Sequence, residues 1–301
     1  MTSLEITKHI PFIKMHSNGN DFVIIDERQQ GIVPPLMAKE IQRLADRHRG
    51  VGCDQVLVLS PSTHPEAQKK NIKAQVRIFN GDGSPAMACG NGMRCVGAFL
   101  AKAEGGQAHQ EIFLQGPMEI LKAVCEVDGH VTLEMDTPIV VQFLDQDLRP
   151  VHAFKVEGLL PIVLVMVGNP HVVVFCQHLD VDEFSSWAPQ LACSATLERA
   201  FQKKPSSALL AGGYNVHAVA CEGPQEARQL IWERGVGMTA SCGTGAGAVA
   251  VAGVAAGLMT APHITVHQPG GAIDVFWNRE HLITRGPSVH VFSGVWTRNE
   301  K

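Results

Sequence analysis

The chain contains one passage twice, half a chain apart, and this repetition restricts it to folds built from two related halves. In the first copy, Ala74-Gln75-Val76-Arg77-Ile78-Phe79 alternates polar and apolar residues, the pattern of a half-buried strand. Asn80-Gly81-Asp82-Gly83 then signals a turn, Ala88-Cys89-Gly90-Asn91-Gly92 follows, and Met93 to Lys102 is helical in pattern, ending before Gly105-Gly106. The second copy opens on the strand-like Arg228-Gln229-Leu230-Ile231-Trp232. It continues through Glu233-Arg234-Gly235-Val236-Gly237 and Ser241-Cys242-Gly243-Thr244-Gly245 into an apolar helix, Ala246 to Met259, which Pro262 is expected to stop. Both copies read strand, Gly-x-Gly turn, Cys-Gly-x-Gly, helix. Four features in one order imply two related domains that face each other.

The rest of the chain is strand-rich. Phe22 to Asp26, Val56 to Leu59, Glu119 to Val127, Val131 to Met135, Ile162 to Val167, Val172 to Phe175 and Val216 to Cys221 read as strands. Pro34 to His48 reads as an amphipathic helix with Ile41, Leu44 and Ala45 on one face, and Asp180 to Trp187 and Cys193 to Lys203 also read as helical. The expected domain break lies near Gly129. At 301 residues each half can bury its own core.

Charge and cysteine usage narrow the function. A formal net charge of −4, with no run of Lys or Arg, gives no support for a nucleic-acid partner or an anionic membrane surface. Between Arg234 and Asp274 there is no charged residue, yet the apolar run within it is shorter than the roughly 20 residues a bilayer requires. A buried helix is expected there, and no membrane association. Met1 to Lys14 lacks the apolar stretch of a signal peptide, so a cytoplasmic protein is expected. Eight cysteines in that setting argue against a disulfide framework, and no Cys-x-x-Cys pair or zinc-finger spacing occurs, so no structural metal is expected. Cys53, Cys95, Cys125, Cys176, Cys193 and Cys221 read as inert core thiols.

Cys89 and Cys242 are different because each opens a helix. The first turn of a helix leaves N–H groups unpaired and carries partial positive charge, which favours a thiolate. Neighbouring glycines let a ligand approach the backbone, and the same N–H groups can hold its carboxylate. Two such cysteines on matching scaffolds suit stereoinversion: one sulfur removes an α-proton, the other returns a proton to the opposite face. Oriented N–H donors in a dry site can stabilise the carbanion, so no cofactor is required.

Several passages resemble diaminopimelate epimerases in order and spacing along nearly the whole chain. They are His16-Ser17-Asn18-Gly19-Asn20-Asp21-Phe22, Ala45-Asp46-Arg47-His48 with Gly50-Val51-Gly52-Cys53-Asp54-Gln55, and Asn80-Gly81-Asp82-Gly83-Ser84. Cys89-Gly90-Asn91-Gly92, Gly168-Asn169-Pro170-His171, Asn215, Glu233-Arg234-Gly235, Cys242-Gly243-Thr244-Gly245 and Gly286-Pro287 complete the set. The resemblance implies an α/β (α+β) fold of two pseudo-symmetric domains, each a curled, mostly antiparallel sheet around a central helix, with the active site in the interdomain cleft. It implies domains of residues 1–130 with 284–301, and 131–283. Cys89 and Cys242 would be catalytic. Asn20, Gln55, Asn80, Asn169, Asn215, Glu233 and Arg234, with the amides of Gly90, Asn91, Gly243 and Thr244, would bind a small amino-acid substrate. His171 and Glu233 would tune the thiols. A homodimer and a role in making lysine and peptidoglycan precursors are implied as well. Met238, Gly247, Ala218 and Phe292 depart from residues common in the family.

Three other readings stand beside this one. A two-cysteine racemase for histidine or hydroxyproline shares the chemistry, although Asn20, Asn80, Asn169, Asn215 and Arg234 favour diaminopimelate. A dinucleotide-binding oxidoreductase is prompted by Gly243-Thr244-Gly245-Ala246-Gly247-Ala248, but no strand runs straight into it and no acidic residue lies about 20 positions beyond. A thiol hydrolase would need one essential cysteine, not two.

Overall fold

The computed structural model describes residues 9–28, 36–107, 109–135, 138–144, 161–193 and 213–298. Contacts divide the chain into two units, Met1–Leu133 with Gly286–Lys301, and Glu134–Arg285. The first contains β1 (His9–Ser17), β2 (Asn20–Asp26), α1 (Ala38–Ala45), β3 (Gln55–Ser60), β4 (Ile72–Asn80), β5 (Pro85–Ala86), α2 (Gly90–Ala103), β6 (Gln110–Gln115), β7 (Ile120–Cys125) and most of β8 (His130–Met135). The second contains β9 (Ile139–Leu144), β10 (Ile162–Val167), β11 (Asn169–Phe175), α3 (Val181–Ala192), β12 (Asn215–Gly223), β13 (Glu226–Glu233) and β14 (Gly237–Met238). It continues with α4 (Gly243–Ala255), β15 (His263–Gln268), β16 (Gly271–Trp277) and most of β17 (Leu282–Pro287). The last strand, β18 (Val289–Thr297), pairs antiparallel with β1 in the first unit.

The repetition extends to strand pairing. In the first unit β1–β2 is antiparallel, β2–β3 parallel, β3–β4 antiparallel, β4–β6 parallel and β6–β7 antiparallel. In the second, β10–β11, β11–β12, β12–β13, β13–β15 and β15–β16 follow the same sequence of directions. Registers match too: Phe22 lies opposite Gln55 as His171 lies opposite Asn215, and Phe79 opposite Pro85 as Trp232 opposite Met238. Counterparts can therefore be named residue by residue. Asn20 corresponds to Asn169, Gln55 to Asn215, Leu57 to His217, Asn80 to Glu233, Cys89 to Cys242 and Gln115 to His267.

The long helices form the centre of each unit. In α4 every residue from Gly243 to Gly253 is buried, so the helix has no polar face, as its wholly apolar run requires. It packs on β9, β10, β11, β12, β15 and β16. Likewise α2 packs on β18, β1 and β2 and also on β6 and β7, strands from both ends of the pairing order, so the sheet bends around it. The shorter helices cover the outer faces. Ile41 and Leu44 of α1 are buried with Ile10, Val23 and Val56, and Phe184, Trp187 and Leu191 of α3 with Leu164, Val172 and Val216. Burying each such side chain contributes roughly 1.5–3 kcal/mol.

Helix boundaries differ from those expected. α2 and α4 begin three residues earlier than expected, because the glycine-containing segments after each cysteine are themselves the first helical turn. α4 stops at Ala255, well before Pro262. Gly257 adopts φ 71°, and the N–H groups of Gly257 and Leu258 donate to the carbonyls of Val254 at 3.1 Å and Gly253 at 2.9 Å, which closes the helix with a left-handed residue. α1 covers only Ala38–Ala45 of the span expected from Pro34 to His48. α3 extends to Ala192, and Asp180 Oδ1 accepts the Glu183 N–H at 2.7 Å at its start. The helix expected from Cys193 to Lys203 lies outside the described residues beyond Cys193.

Candidate active site

Both cysteines are N-caps. Cys89 (φ −155°, ψ 96°) and Cys242 (φ −134°, ψ 113°) have extended backbones, and each Sγ accepts the N–H of the glycine three residues on, Gly92 or Gly245, at 3.3 Å. Sulfur thus stands where a Ser or Asp oxygen stands at an ordinary cap, facing the positive end of a buried helix, a setting that favours the thiolate. Cys242 is buried and lies 3.5 Å from Thr244 Oγ1, whereas Cys89 is half-buried. Gly90 and Asn91, like Gly243 and Thr244, occupy the first two helical positions, whose N–H groups point out of the helix end. Other thiols lack such help. Burial pushes Cys53 and Cys95 up to about 12, Cys125 up to about 11, and Cys221 upward as well, although Cys193 and Cys221 are exposed at the surface and not in the core as expected.

In the first unit, Asn20, Gln55 and Asn80 gather at one end of β2, β3 and β4. The Asn18-Gly19 turn (φ 49° and 81°) reverses the chain tightly enough to start β2 at Asn20. Gln55 Nε2 donates to Asn80 Oδ1 at 3.0 Å, and Gln55 Oε1 is buried with no partner among the described residues. Asn20 Nδ2 donates to Asp54 Oδ2 at 2.8 Å, Asn91 Nδ2 donates to Asn20 Oδ1 at 3.2 Å, and the buried Arg94 donates to Asn91. A charged cluster anchors the row. Arg47 bonds Asp54 at 2.6 Å and Asp21 at 2.8 Å, and Lys14 bonds Asp21 at 2.5 Å. Burial alone would raise the Asp21 carboxyl, but the hydrogen bonds from Arg47 and Lys14 bring it down to about 2. Asp54 immediately precedes Gln55 in sequence. Nothing in the sequence shows that its side chain reaches Asn20.

The second unit repeats the row with other residues. Gly168 (φ 64°) turns β10 into β11 at Asn169. Asn215 Oδ1 accepts the Arg234 N–H at 2.9 Å, and Thr239 Oγ1 donates to Glu233 Oε1 at 2.7 Å. His171 is fully buried, with Nδ1 2.9 Å from Nε2 of the equally buried His217. Burial, reinforced by His217, holds His171 well below the usual imidazole range, and burial lowers His217 to about 3. The pair is therefore neutral, and His171 contributes hydrogen bonding and shape, not positive charge. The His217 ring edge packs on Gly245, as Leu57 packs on Gly92 in the first unit. Sequence reasoning passed over His217 because a histidine two residues beyond Asn215 has no signature of its own. It also passed over Gln268, which bonds the Cys242 peptide.

Among the described residues one group of potential metal ligands lies close together: Glu222, Glu226 and His267, at the surface, with Glu222 already paired to Arg228 at 2.8 Å. No helix among the described residues is long and apolar enough to cross a membrane.

Comparison with known proteins agrees with this architecture. Among solved structures, one described as a predicted epimerase from Pseudomonas aeruginosa superposes with a TM-score of 0.69 at 16% identity, covering 95% of this chain and 98% of that one. A hydroxyproline epimerase from Agrobacterium vitis, with trans-4-hydroxy-L-proline bound, gives 0.66 at 15% identity, covering 97% and 94%. Such identities speak for the fold alone. Sequence comparison is more specific: a diaminopimelate epimerase of Rhizorhabdus wittichii is 35% identical over 293 residues, 94% of each chain. The family model for diaminopimelate epimerase matches residues 12–141 and 163–291, both copies of the repeated scaffold, and the chain belongs to the diaminopimelate epimerase family.

Proposed function

We propose that the protein inverts one α-carbon of diaminopimelate, interconverting the LL and meso forms, with Cys89 and Cys242 as an acid–base pair and no cofactor. One sulfur, as thiolate, takes the α-proton; the C–H electron pair stays on carbon as a carbanion. The other, as thiol, returns a proton to the opposite face, and the roles exchange in the reverse direction. The observation that carries this reading is the equivalence of the two cysteines. Each caps a buried helix, and each Sγ accepts a glycine N–H at 3.3 Å. A nucleophile acting alone would need only one such setting.

The surrounding residues suit a substrate with an amino-acid group at each end. Gln55 offers a buried, unspent carbonyl oxygen, and Asn20, Asn80, Asn169 and Asn215 supply donors and acceptors. Glu233 would meet the ammonium group, while Arg234 and the amides of Gly90, Asn91, Gly243 and Thr244 would meet carboxylates. His171 and Glu233 would shape the surroundings of the thiols. In this reading the enzyme is cytoplasmic, serves lysine and peptidoglycan precursor synthesis, and acts as a homodimer, a state that sedimentation equilibrium would check.

The purified protein should interconvert LL- and meso-diaminopimelate without additives and carry solvent deuterium into the α-carbon. Either Cys89→Ser or Cys242→Ser should abolish turnover. Activity confined to hydroxyproline or histidine would move the assignment to another two-cysteine racemase. Full activity in either serine variant would end the acid–base pair.

A further inference from the structure

One buried polar side chain beside Cys242 has no part in the reading above. Gln268, the last residue of β15, is 7% exposed, and both ends of its amide go to a single residue's backbone. Oε1 accepts the Cys242 N–H at 2.8 Å, and Nε2 donates to the Cys242 carbonyl at 3.1 Å. The amide can face only one way, since the N–H must donate and the carbonyl must accept. These two groups flank φ and ψ of Cys242, so Gln268 does for that residue what a neighbouring β-strand would do. It holds the backbone extended at φ −134°, ψ 113°. A second tie lies just upstream, where Gly270 N–H donates to the Ala240 carbonyl at 2.8 Å. With the backbone fixed, the direction of the Cβ–Sγ bond is limited to a few rotamers, and the observed one lies on the Gly245 N–H.

The duplication supplies an internal comparison. Gln115, last residue of β6, stands as far beyond Cys89 as Gln268 stands beyond Cys242. Its Oε1 accepts instead from Ser62 Oγ at 2.7 Å and the Thr63 N–H at 3.1 Å. Strand register matches Gln115 with His267 and Gly116 with Gln268, so the first unit has no side-chain amide at the position from which Gln268 holds its cysteine.

We propose that Gln268 is a positioning residue for Cys242, holding the helix cap so that the sulfur stays on the Gly245 N–H, a duty that Gln115 does not perform for Cys89. The proposal rests on the reading of Cys242 as an acid–base residue.

The test compares Gln268→Leu and Gln268→Glu with Gln115→Leu, a glutamine change in the other unit, as the control. The rate of iodoacetamide alkylation at Cys242 and at Cys89 is followed against pH by peptide mass spectrometry, and kcat and KM are measured in parallel. His217, the titratable group packed on the same turn, is neutral down to about pH 3, and α4 carries no charged side chain, so neither distorts the profile between pH 6 and 10.

Gln268→Leu should move the Cys242 midpoint upward and leave Cys89 in place. Gln268→Glu keeps an acceptor for the Cys242 N–H, which sustains the fold if leucine does not. It should move the midpoint further, because its carboxylate adds negative charge beside the thiolate. With either variant kcat should fall on the order of ten- to hundredfold, with KM changing less than twofold. Gln115→Leu should move none of these. A wild-type midpoint and kcat in both Gln268 variants, or equal shifts at both cysteines, would overturn the proposal. Alkylation needs no substrate: shifts as expected in a protein that does not epimerise diaminopimelate would support Gln268 positioning while removing the proposed activity.

Discussion

Replacing Gly245 by alanine presses a methyl group against the His217 ring. The new Cβ would lie 3.0 Å from Nε2, closer still to Cε1, and 3.1 Å from Cys242 Sγ. His217 is fully buried and bonded to His171, so its ring has nowhere to swing. Overpacking a rigid site of this kind costs roughly 1–3 kcal/mol, and alanine in a helix returns up to about 1 kcal/mol relative to glycine. The net expectation is a loss of up to about 2 kcal/mol, a fall in Tm of up to roughly 4–8 °C for a unit of this size. Gly92→Ala is the internal reference. There the added Cβ meets Leu57 Cδ1 at 3.1 Å and Cys89 Sγ at 3.3 Å. A methyl at the end of a flexible side chain can yield, so the helix gain should cancel the crowding. Thermal unfolding followed by circular dichroism would compare the two single variants with Gly245→Ala combined with His217→Ala. Because the smaller side chain vacates the space, the double variant should be more stable than the sum of its parts. Gly245→Ala no less stable than Gly92→Ala, or a strictly additive double variant, would refute the packing argument.

Other expectations follow from the same two units. His217→Leu restores the residue type found at Leu57 but leaves His171 Nδ1 without its buried partner, at a cost of about 1–3 kcal/mol, measurable as a lower urea midpoint at pH 7. Both imidazoles are held neutral in the fold while an unfolded histidine protonates near 6.5, so the unfolded state binds more protons below that value. Wild-type stability should therefore fall as pH drops from 6.5 toward 3, and the urea midpoint of His217→Leu should fall less steeply over that range. Asp21 behaves in the opposite chemical sense. Its carboxyl is depressed to about 2 from 3.8, so its contribution is complete above 3.8 and is lost as pH falls toward 2. Asp21→Asn should be less stable than wild type at pH 7, with the gap closing by pH 2. A gap independent of pH would show that the Arg47 and Lys14 contacts do not act through charge.

Local signals in the sequence carried much of the architecture. The alternation in Ala74 to Phe79 places β4, and the charge-free run around Ala246 reads as a buried helix because no polar face exists to meet water. Where helix ends depart from the sequence pattern, the cause is chemical detail. Pro262 is the stronger helix breaker on paper, but Gly257 comes first and its freedom to take φ 71° ends α4 earlier. The glycines after Cys89 and Cys242 have poor helix propensity, yet they form the first turn, where the N–H of Gly92 or Gly245 is capped by the cysteine sulfur.

The order of strand, turn, cysteine and helix, twice over, determined that this protein is a duplicated scaffold with a thiol at the head of each central helix. That much is local, since caps, turns and apolar periodicity act over a few residues. Tertiary structure decided which side chains serve those thiols. Nothing in the sequence shows that Gln268 reaches Cys242 while Gln115, equally far beyond Cys89, reaches a loop, or marks His217 and Leu57 as occupants of one position, because a hydrogen-bond partner is chosen by which atoms meet once distant strands have paired.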